Sequence, residues 1–178
     1  MLAKNWRSAA NRYNEAEVSE QTRLAEARKR QTQQDREIKA ATQQLQEWVK
    51  GDDYQAALSM LRSGGQYDFK SVHLGTEKGK SSSSWSVSTG VGSTTKSGPS
   101  EDTVYYLDRE GFRKSTTHYT PTYHGEFVPD DLVVSSASPE KVIRVAVSSL
   151  RKKPSEVMTY ILGELDKIAQ KAPVSVQD

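Results

Sequence analysis

The sequence predicts an α+β protein that begins with a long helix. Residues 1–50 contain no glycine and no proline, the two residues that most readily end a helix. A middle region rich in tyrosine, valine, serine and glycine then alternates apolar and polar residues, as half-buried strands do. Near the end of the chain, two segments that open at a proline repeat apolar residues every three or four positions, which is typical of amphipathic helices.

The domain organisation predicted from this pattern has three parts. Residues 1–50 form a long helical arm, residues 51–172 form a small α+β domain, and residues 173–178 form a flexible tail. Only 34% of the 178 residues are hydrophobic, against about 45–50% in a typical globular chain, although that average also counts glycine. This low fraction favours an extended arm beside a compact domain over one compact body.

The arm carries a heptad-like stripe. Its residues follow one another at alternating steps of three and four, which places them on one side of a helix. The same rhythm runs through an upstream set, although one extra residue near Glu20 interrupts a strict heptad. The stripe consists of Leu24, Ala27, Gln31, Gln34, Ile38, Ala41, Leu45 and Trp48, and the upstream set is Trp6, Ala9, Tyr13 and Ala16.

This stripe is thin for a coiled coil, because Gln31 and Gln34 are polar and the alanines are small. Burial stabilises by only about 25 cal/mol per Å² of apolar surface, so the helix needs a surface to pack against. A second copy, another protein and the chain's own later helices all remain open. The largest side chains on the arm are the predicted interaction residues: Trp6, Tyr13, Leu24, Ile38, Leu45 and Trp48.

Behind the arm, Gly51 predicts a helix end and the following aspartates predict the cap of a short helix over residues 53–63. Between residues 66 and 135 the pattern predicts an antiparallel meander of four to five strands. Residues 67–74 form the first strand, and residues 85–91 form the second because they alternate strictly.

The clearest local signal in the meander is a hairpin. Residues 104–107 (Val, Tyr, Tyr and Leu) and 112–114 (Phe, Arg and Lys) flank residues 108–111, whose glycine suits a left-handed position, and a four-residue connection is predicted. Further short strands are predicted at 116–120, 123–128 and 132–134.

Two helices are predicted to follow the sheet, over residues 139–151 and 154–171. Ser138 and Pro139 form a favourable helix start, and Pro154 opens the second helix. Residues 142–147 are rich in valine, so a final strand remains the alternative for that segment.

The distribution of charge does not point to one class of function. The net charge is +2, divided as +3 over residues 1–50, −3 over 51–137 and +2 over 138–178. This differs from the concentrated basic surface of a dedicated nucleic-acid binder. Two basic clusters nevertheless make a nucleic-acid-associated accessory protein the alternative function. Their predicted phosphate contacts are Arg28, Lys29 and Arg30 in the first cluster, and Arg151, Lys152 and Lys153 in the second.

The absence of cysteine excludes disulfides, zinc–thiolate sites and thiol catalysis, and is consistent with the cytoplasm or another reducing compartment. No apolar run reaches the roughly 18 residues of a membrane-spanning helix, and no secretory signal is expected. Arg7 and Arg12 give the start of the chain only a weak resemblance to an organelle-targeting segment.

No catalytic motif is present: the Gly-x-Ser-x-Gly elbow, the P-loop and the dinucleotide-binding glycine pattern are all missing. His118 and His124 lie near Asp130 and Asp131 and would approach one another only if they lay on adjacent strands, so ordinary surface histidines are the preferred interpretation. We therefore predict no catalytic residue, cofactor or metal. The predicted function is a non-enzymatic assembly or adaptor protein that uses the arm as a docking surface.

Overall fold

The computed structural model describes residues 2–62, 70–79, 83–84, 96–97, 100–122, 124 and 126–171. These residues form an α+β fold with four helices and a four-stranded antiparallel sheet, so the predicted class is confirmed. The helices are α1 (Leu2–Lys50), α2 (Asp52–Arg62), α3 (Pro139–Ser149) and α4 (Pro154–Gln170). The strands are β1 (Val72–Lys78), β2 (Ser83–Ser84), β3 (Lys96–Ser97), β4 (Ser100–Asp108), β5 (Gly111–Pro121) and β6 (Phe127–Ser136).

The main sheet is a meander in the order β1-β4-β5-β6, with every pair antiparallel. The short strands β2 and β3 pair separately between β1 and β4 in the sequence. β1 begins at Val72, while the start of the strand predicted at 67–74 and the strand predicted at 85–91 lie outside the described residues. The segments predicted at 116–120 and 132–134 belong to the longer strands β5 and β6.

The β4–β5 hairpin has a tighter turn than predicted. Asp108 pairs with Gly111, so the turn itself contains only Arg109 and Glu110 rather than four residues. Asp108 Oδ1 accepts a hydrogen bond from the Glu110 amide at 2.7 Å, which fixes the turn locally. Gly111 has a φ of 107° and occupies the left-handed position that the sequence assigned to glycine.

Residues 142–147 are helical, which settles the choice left open by their valines. Ser138 Oγ accepts from the Lys141 amide at 3.4 Å, and Pro139 stands in the first turn of α3. The helix buries Val142, Ile143, Val145 and Ala146 on one face. Burial against the rest of the fold therefore outweighs the strand preference of valine.

The core lies between the sheet and the helices. α3 and α4 pack on β1, and the C-terminal part of α1 packs across α3 and α4. The approach of α3 to β1 requires glycine at position 75, because a Cβ there would lie 2.7 Å from Ser149 Cβ and the backbone φ is 146°. Completely buried leucines and isoleucines fill this core, among them Leu45, Leu74, Leu107, Ile143 and Ile161.

The carboxylate of Glu77 connects β1, β4 and α3 at the edge of this core. The Tyr105 hydroxyl on β4 donates to Glu77 Oε2 on β1 at 3.1 Å, and Lys141 Nζ on α3 donates to Glu77 Oε1 at 2.6 Å. Burial, followed by the interaction with Glu77, raises the pKa of Tyr105 from 10.0 to about 12.

None of the helices in the described part of the chain combines the length and the apolar character needed to cross a lipid bilayer.

Candidate protein-interaction surface

The first two thirds of α1 form the main candidate surface. Every side chain described between Trp6 and Gln34 is exposed. At 1.5 Å per residue, residues 2–34 extend for about 50 Å, and we call them the free segment. Trp6 is 76% exposed, Tyr13 74% and Leu24 49%. These large apolar side chains, exposed along one helix, make the free segment a candidate interaction surface.

These three exposed side chains share one side of the free segment. With 3.6 residues per turn, Trp6, Tyr13 and Leu24 fall within about 20° of one line along the helix. The extra residue near Glu20 does not displace them, since the 18 residues from Trp6 to Leu24 make about five whole turns. Val18, also exposed, lies about 120° away from that line.

Further along α1 the same stripe enters the core of the chain. Ile38 is only 4% exposed, Ala41 is buried and Leu45 is completely buried. Asp35, just before them, accepts from Arg144 Nη1 of α3 at 3.2 Å. Of the six predicted interaction residues, Ile38 and Leu45 therefore serve the internal core and are not available to a partner in this structure.

Trp48 has a third kind of environment, at the corner between α1 and α2. It is half-buried and meets the Tyr54 ring edge-on, with centroids 5.1 Å apart. Tyr54 in turn stacks on Phe112 at 6.2 Å. Trp48 also borders a half-open groove of about 380 Å³ between these helices and α4, whose walls include Met60. Trp48 therefore contributes to the packing of this corner.

The first basic cluster, Arg28 to Arg30, lies on the free segment and is exposed. Arg30 Nη2 is 3.7 Å from Glu26 Oε2, one turn away. An exposed pair of this kind contributes only about 0.3–0.5 kcal/mol. The cluster is therefore a mixed-charge helix surface whose cations are largely free to meet an external anion.

The second basic cluster lies in the connection between α3 and α4. Arg151 has a positive φ of 51°, Lys152 Nζ lies 5.4 Å from the centre of the Tyr160 ring, and Lys153 is the N-cap of α4. The Lys153 amide donates to Glu156 Oε2 at 3.3 Å. These residues thus shape the turn between two helices as well as carrying charge.

The three histidines have different surroundings. His118 on β5 is directly opposite Asp131 on β6, and its Nδ1 is 3.2 Å from Glu101 Oε1. His124 lies in the turn after β5, not on an adjacent strand, and His73 Nε2 is 3.2 Å from Thr76 Oγ1. The residues that the structure describes contain no group of three or more histidine or acidic side chains arranged to hold a metal ion.

A second surface was missed by the sequence interpretation. Strand β6 exposes several apolar side chains at the edge of the sheet. A signal for this position was present, because Pro129 beside Asp130 and Asp131 is typical of an edge strand. The exposed apolar residues are Phe127, Val128, Leu132, Val133 and Val134.

Comparison of the chain with models of protein families, with curated proteins and with solved structures found no match.

Proposed function

We propose that this chain is a non-enzymatic assembly protein that binds another protein through the free segment of α1. The observation that carries the proposal is the division of one uninterrupted helix. Its stripe is buried in the core from Ile38 onward, whereas the described side chains from Trp6 to Gln34 are exposed. The same apolar pattern therefore continues beyond the domain onto a surface that is still uncovered.

The side-chain hydrogen bonds described between Trp6 and Gln34 are local. Examples are the Thr22 and Thr32 hydroxyls, which donate to carbonyls one turn earlier. In proteins most of the stability of a helix comes from tertiary packing of its apolar face rather than from helix propensity. A partner that covers Trp6, Tyr13 and Leu24 would stabilise the free segment, and large aromatic side chains are common anchors of such interfaces.

The charges that flank the stripe favour an acidic partner. Residues 1–34 carry seven basic and four acidic side chains. Arg23 and Arg30 precede stripe residues and Arg28 follows one, which are the positions that face the flanks of a partner helix. In a parallel pair of identical helices, Arg23 would face Arg28 of the other copy, and like charges there oppose pairing. A helix of a different protein with glutamate or aspartate flanks fits better than a second copy.

A defined probe tests this chemistry with the full chain. The probe is a heptad peptide with leucine in its seam and glutamate on its flanks, and the matched peptide carries lysine on its flanks. We expect the acidic peptide alone to bind, to increase helicity and to change the fluorescence of the full chain. Leu24→Asp should abolish this binding, whereas Val18→Asp, on another side of the helix, should leave it unchanged.

Photocrosslinking then identifies the natural partner. A photoreactive residue at Tyr13, in extracts of the cells that produce the protein, should crosslink a protein that Leu24→Asp no longer captures and Val18→Asp still captures. Equal capture by both variants, or equal binding of both peptides, would contradict the proposal. Preference for a DNA or RNA duplex, falling steeply with salt, would instead support the nucleic-acid function predicted from the basic clusters.

A further inference from the structure

Strand β6 is one of the two edge strands of the main sheet in the described part of the chain, where it pairs with β5 alone. Nine of the ten residues of β6 are exposed. Leu132, Val133 and Val134 are 60%, 46% and 45% exposed, respectively. A long edge strand with a run of exposed apolar side chains is a template for pairing with another strand.

Most features that prevent such pairing lie in the first half of β6. Pro129 has no amide to donate. The register steps from His118–Asp131 directly to Tyr119–Pro129, so Asp130 is an extra, bulged residue on β6. Proline, a bulge and charges are common ways of blocking an edge. The second half, from Asp131 to Ser135, carries one charge and none of the other devices.

In that second half, the backbone amide and carbonyl groups of every other residue point away from β5. The amide of Ala137, just after β6, donates to Phe112 O of β5 at 2.8 Å. Amides alternate in direction along a strand, so those of Leu132 and Val134 point away from β5. These two residues can therefore exchange hydrogen bonds with a new antiparallel strand.

We propose that two copies of the chain associate edge to edge through β6, antiparallel and about a two-fold axis at Val133. Leu132 of each copy then faces Val134 of the other, and Val133 faces itself. Asp131 faces Ser135 of the second copy, where the serine hydroxyl can donate to the carboxylate. The result is one continuous eight-stranded sheet with the three apolar residues paired with one another.

The sequence of β6 selects this register over its neighbours. An axis at Asp131 would set two carboxylates against each other, and an axis at Leu132 would set Asp131 against Val133. An axis at Val134 would place Leu132 and Val133 opposite serines and lose both apolar pairs. Of these four registers, only the axis at Val133 pairs the three apolar residues with one another and sets each aspartate opposite a serine. Because β6 is complementary to itself in this register, we infer that the pairing strand is β6 of a second copy.

Light scattering coupled to size exclusion tests the proposal on the full chain across a dilution series. The wild-type protein should have twice the chain mass of 19.8 kDa. Val133→Lys places two lysines opposite each other at the axis and should weaken association about tenfold or more. Val128→Lys changes a valine of similar exposure outside the paired stretch, and should leave the dimer intact. Circular dichroism should show unchanged folding for both variants, with Val134→Lys as a second disrupting variant.

A charge swap tests the position of the axis. Val133→Lys and Val133→Asp should each be monomeric alone and should form a mixed dimer when combined, because opposite charges then meet at the axis. A monomeric wild type, a dimer that resists Val133→Lys, equal disruption by Val128→Lys, or no recovery on mixing would each overturn the proposal. This inference does not depend on the free segment: Leu24→Asp should leave the dimer intact, and Val133→Lys should still bind the acidic peptide.

Discussion

Asp35 on α1 and Arg144 on α3 form the ion pair at which the long helix leaves the domain, with Oδ1 and Nη1 3.2 Å apart. Three residues later Ile38 is buried, whereas the side chains described before Asp35 are exposed. The hydrophobic core therefore begins inside α1 and not at Gly51, where the helix ends. The helix α1 ends at Lys50, but the part of the chain that packs in the core already begins at Ile38.

Substitutions on either side of Asp35 should differ sharply in their effect on stability. Leu45 is completely buried and Leu24 is half exposed, although both lie on the same stripe. We expect Leu45→Ala to lower the free energy of unfolding by about 2–5 kcal/mol through lost burial and a cavity. Leu24→Ala should change it by less than about 0.5 kcal/mol. Urea unfolding of the two variants provides the measurement, and equal destabilisation would show that the stripe is buried throughout.

Truncation should reveal the same division. A chain that begins at Asp35 keeps Ile38, Ala41 and Leu45, and we expect its thermal unfolding to resemble that of the full chain. A chain that begins at Gly51 loses all three core residues and should lack cooperative unfolding, since the core is shared between α1 and the later helices. Near-ultraviolet circular dichroism compares the two. Native-like folding of the shorter chain would contradict the assignment of α1 to the core.

The elements that the sequence predicted correctly are those with local signals. Ser138 and Pro139 mark the start of α3, and Gly111 marks the hairpin, because capping and turn preferences act within a few residues. The helical spacing predicted for the stripe on α1 was also correct, because Ile38, Ala41 and Leu45 are buried together. Its spacing is the same before and after Asp35, however, and only the distant helices α3 and α4 decide which part becomes buried.

For the same reason, the sequence could not divide the six predicted interaction residues between the surface and the core. Trp6, Tyr13 and Leu24 are exposed as an interaction surface requires, while Ile38 and Leu45 are taken up by the core. The apolar residues of β6 were read as ordinary strand residues. Alternation identifies a strand but not its place in a sheet, and the order of strands depends on contacts between distant parts of the chain.

Two glycines in contrasting environments should respond to alanine in opposite directions. At Gly75, a Cβ would lie 2.7 Å from Ser149 Cβ and 2.9 Å from Val145 Cγ1, and the φ of 146° disfavours any side chain. We expect Gly75→Ala to destabilise the protein by about 1–3 kcal/mol as α3 is pushed from β1. At Gly163 in α4 a Cβ meets nothing within 4 Å, so Gly163→Ala should stabilise by about 0.5–1 kcal/mol. Melting temperatures give the signs, and a neutral Gly75→Ala would mean that α3 and β1 are farther apart.

The buried hydroxyl of Tyr105 should make the fold sensitive to alkali. Its pKa is raised from 10.0 to about 12, first by burial and then by Glu77. Between these two pH values the unfolded chain has released the proton that the folded chain still holds. The free energy of unfolding should therefore fall as the pH rises from about 10 to 12.

Tyr105→Phe removes this titration and should make the decline shallower by up to one proton per molecule. It should not abolish the decline, because burial also raises the pKa of Tyr54, Tyr106 and Tyr160. At neutral pH the variant loses one hydrogen bond, a net cost of about 0.5–1.5 kcal/mol, while Lys141 still pairs with Glu77. Urea unfolding at pH 7 and at steps from pH 9 to 12 measures both effects. Tyr13→Phe, at an exposed side chain, is the matched control, and a Tyr105→Phe curve parallel to the wild type would show that another group governs the alkaline transition.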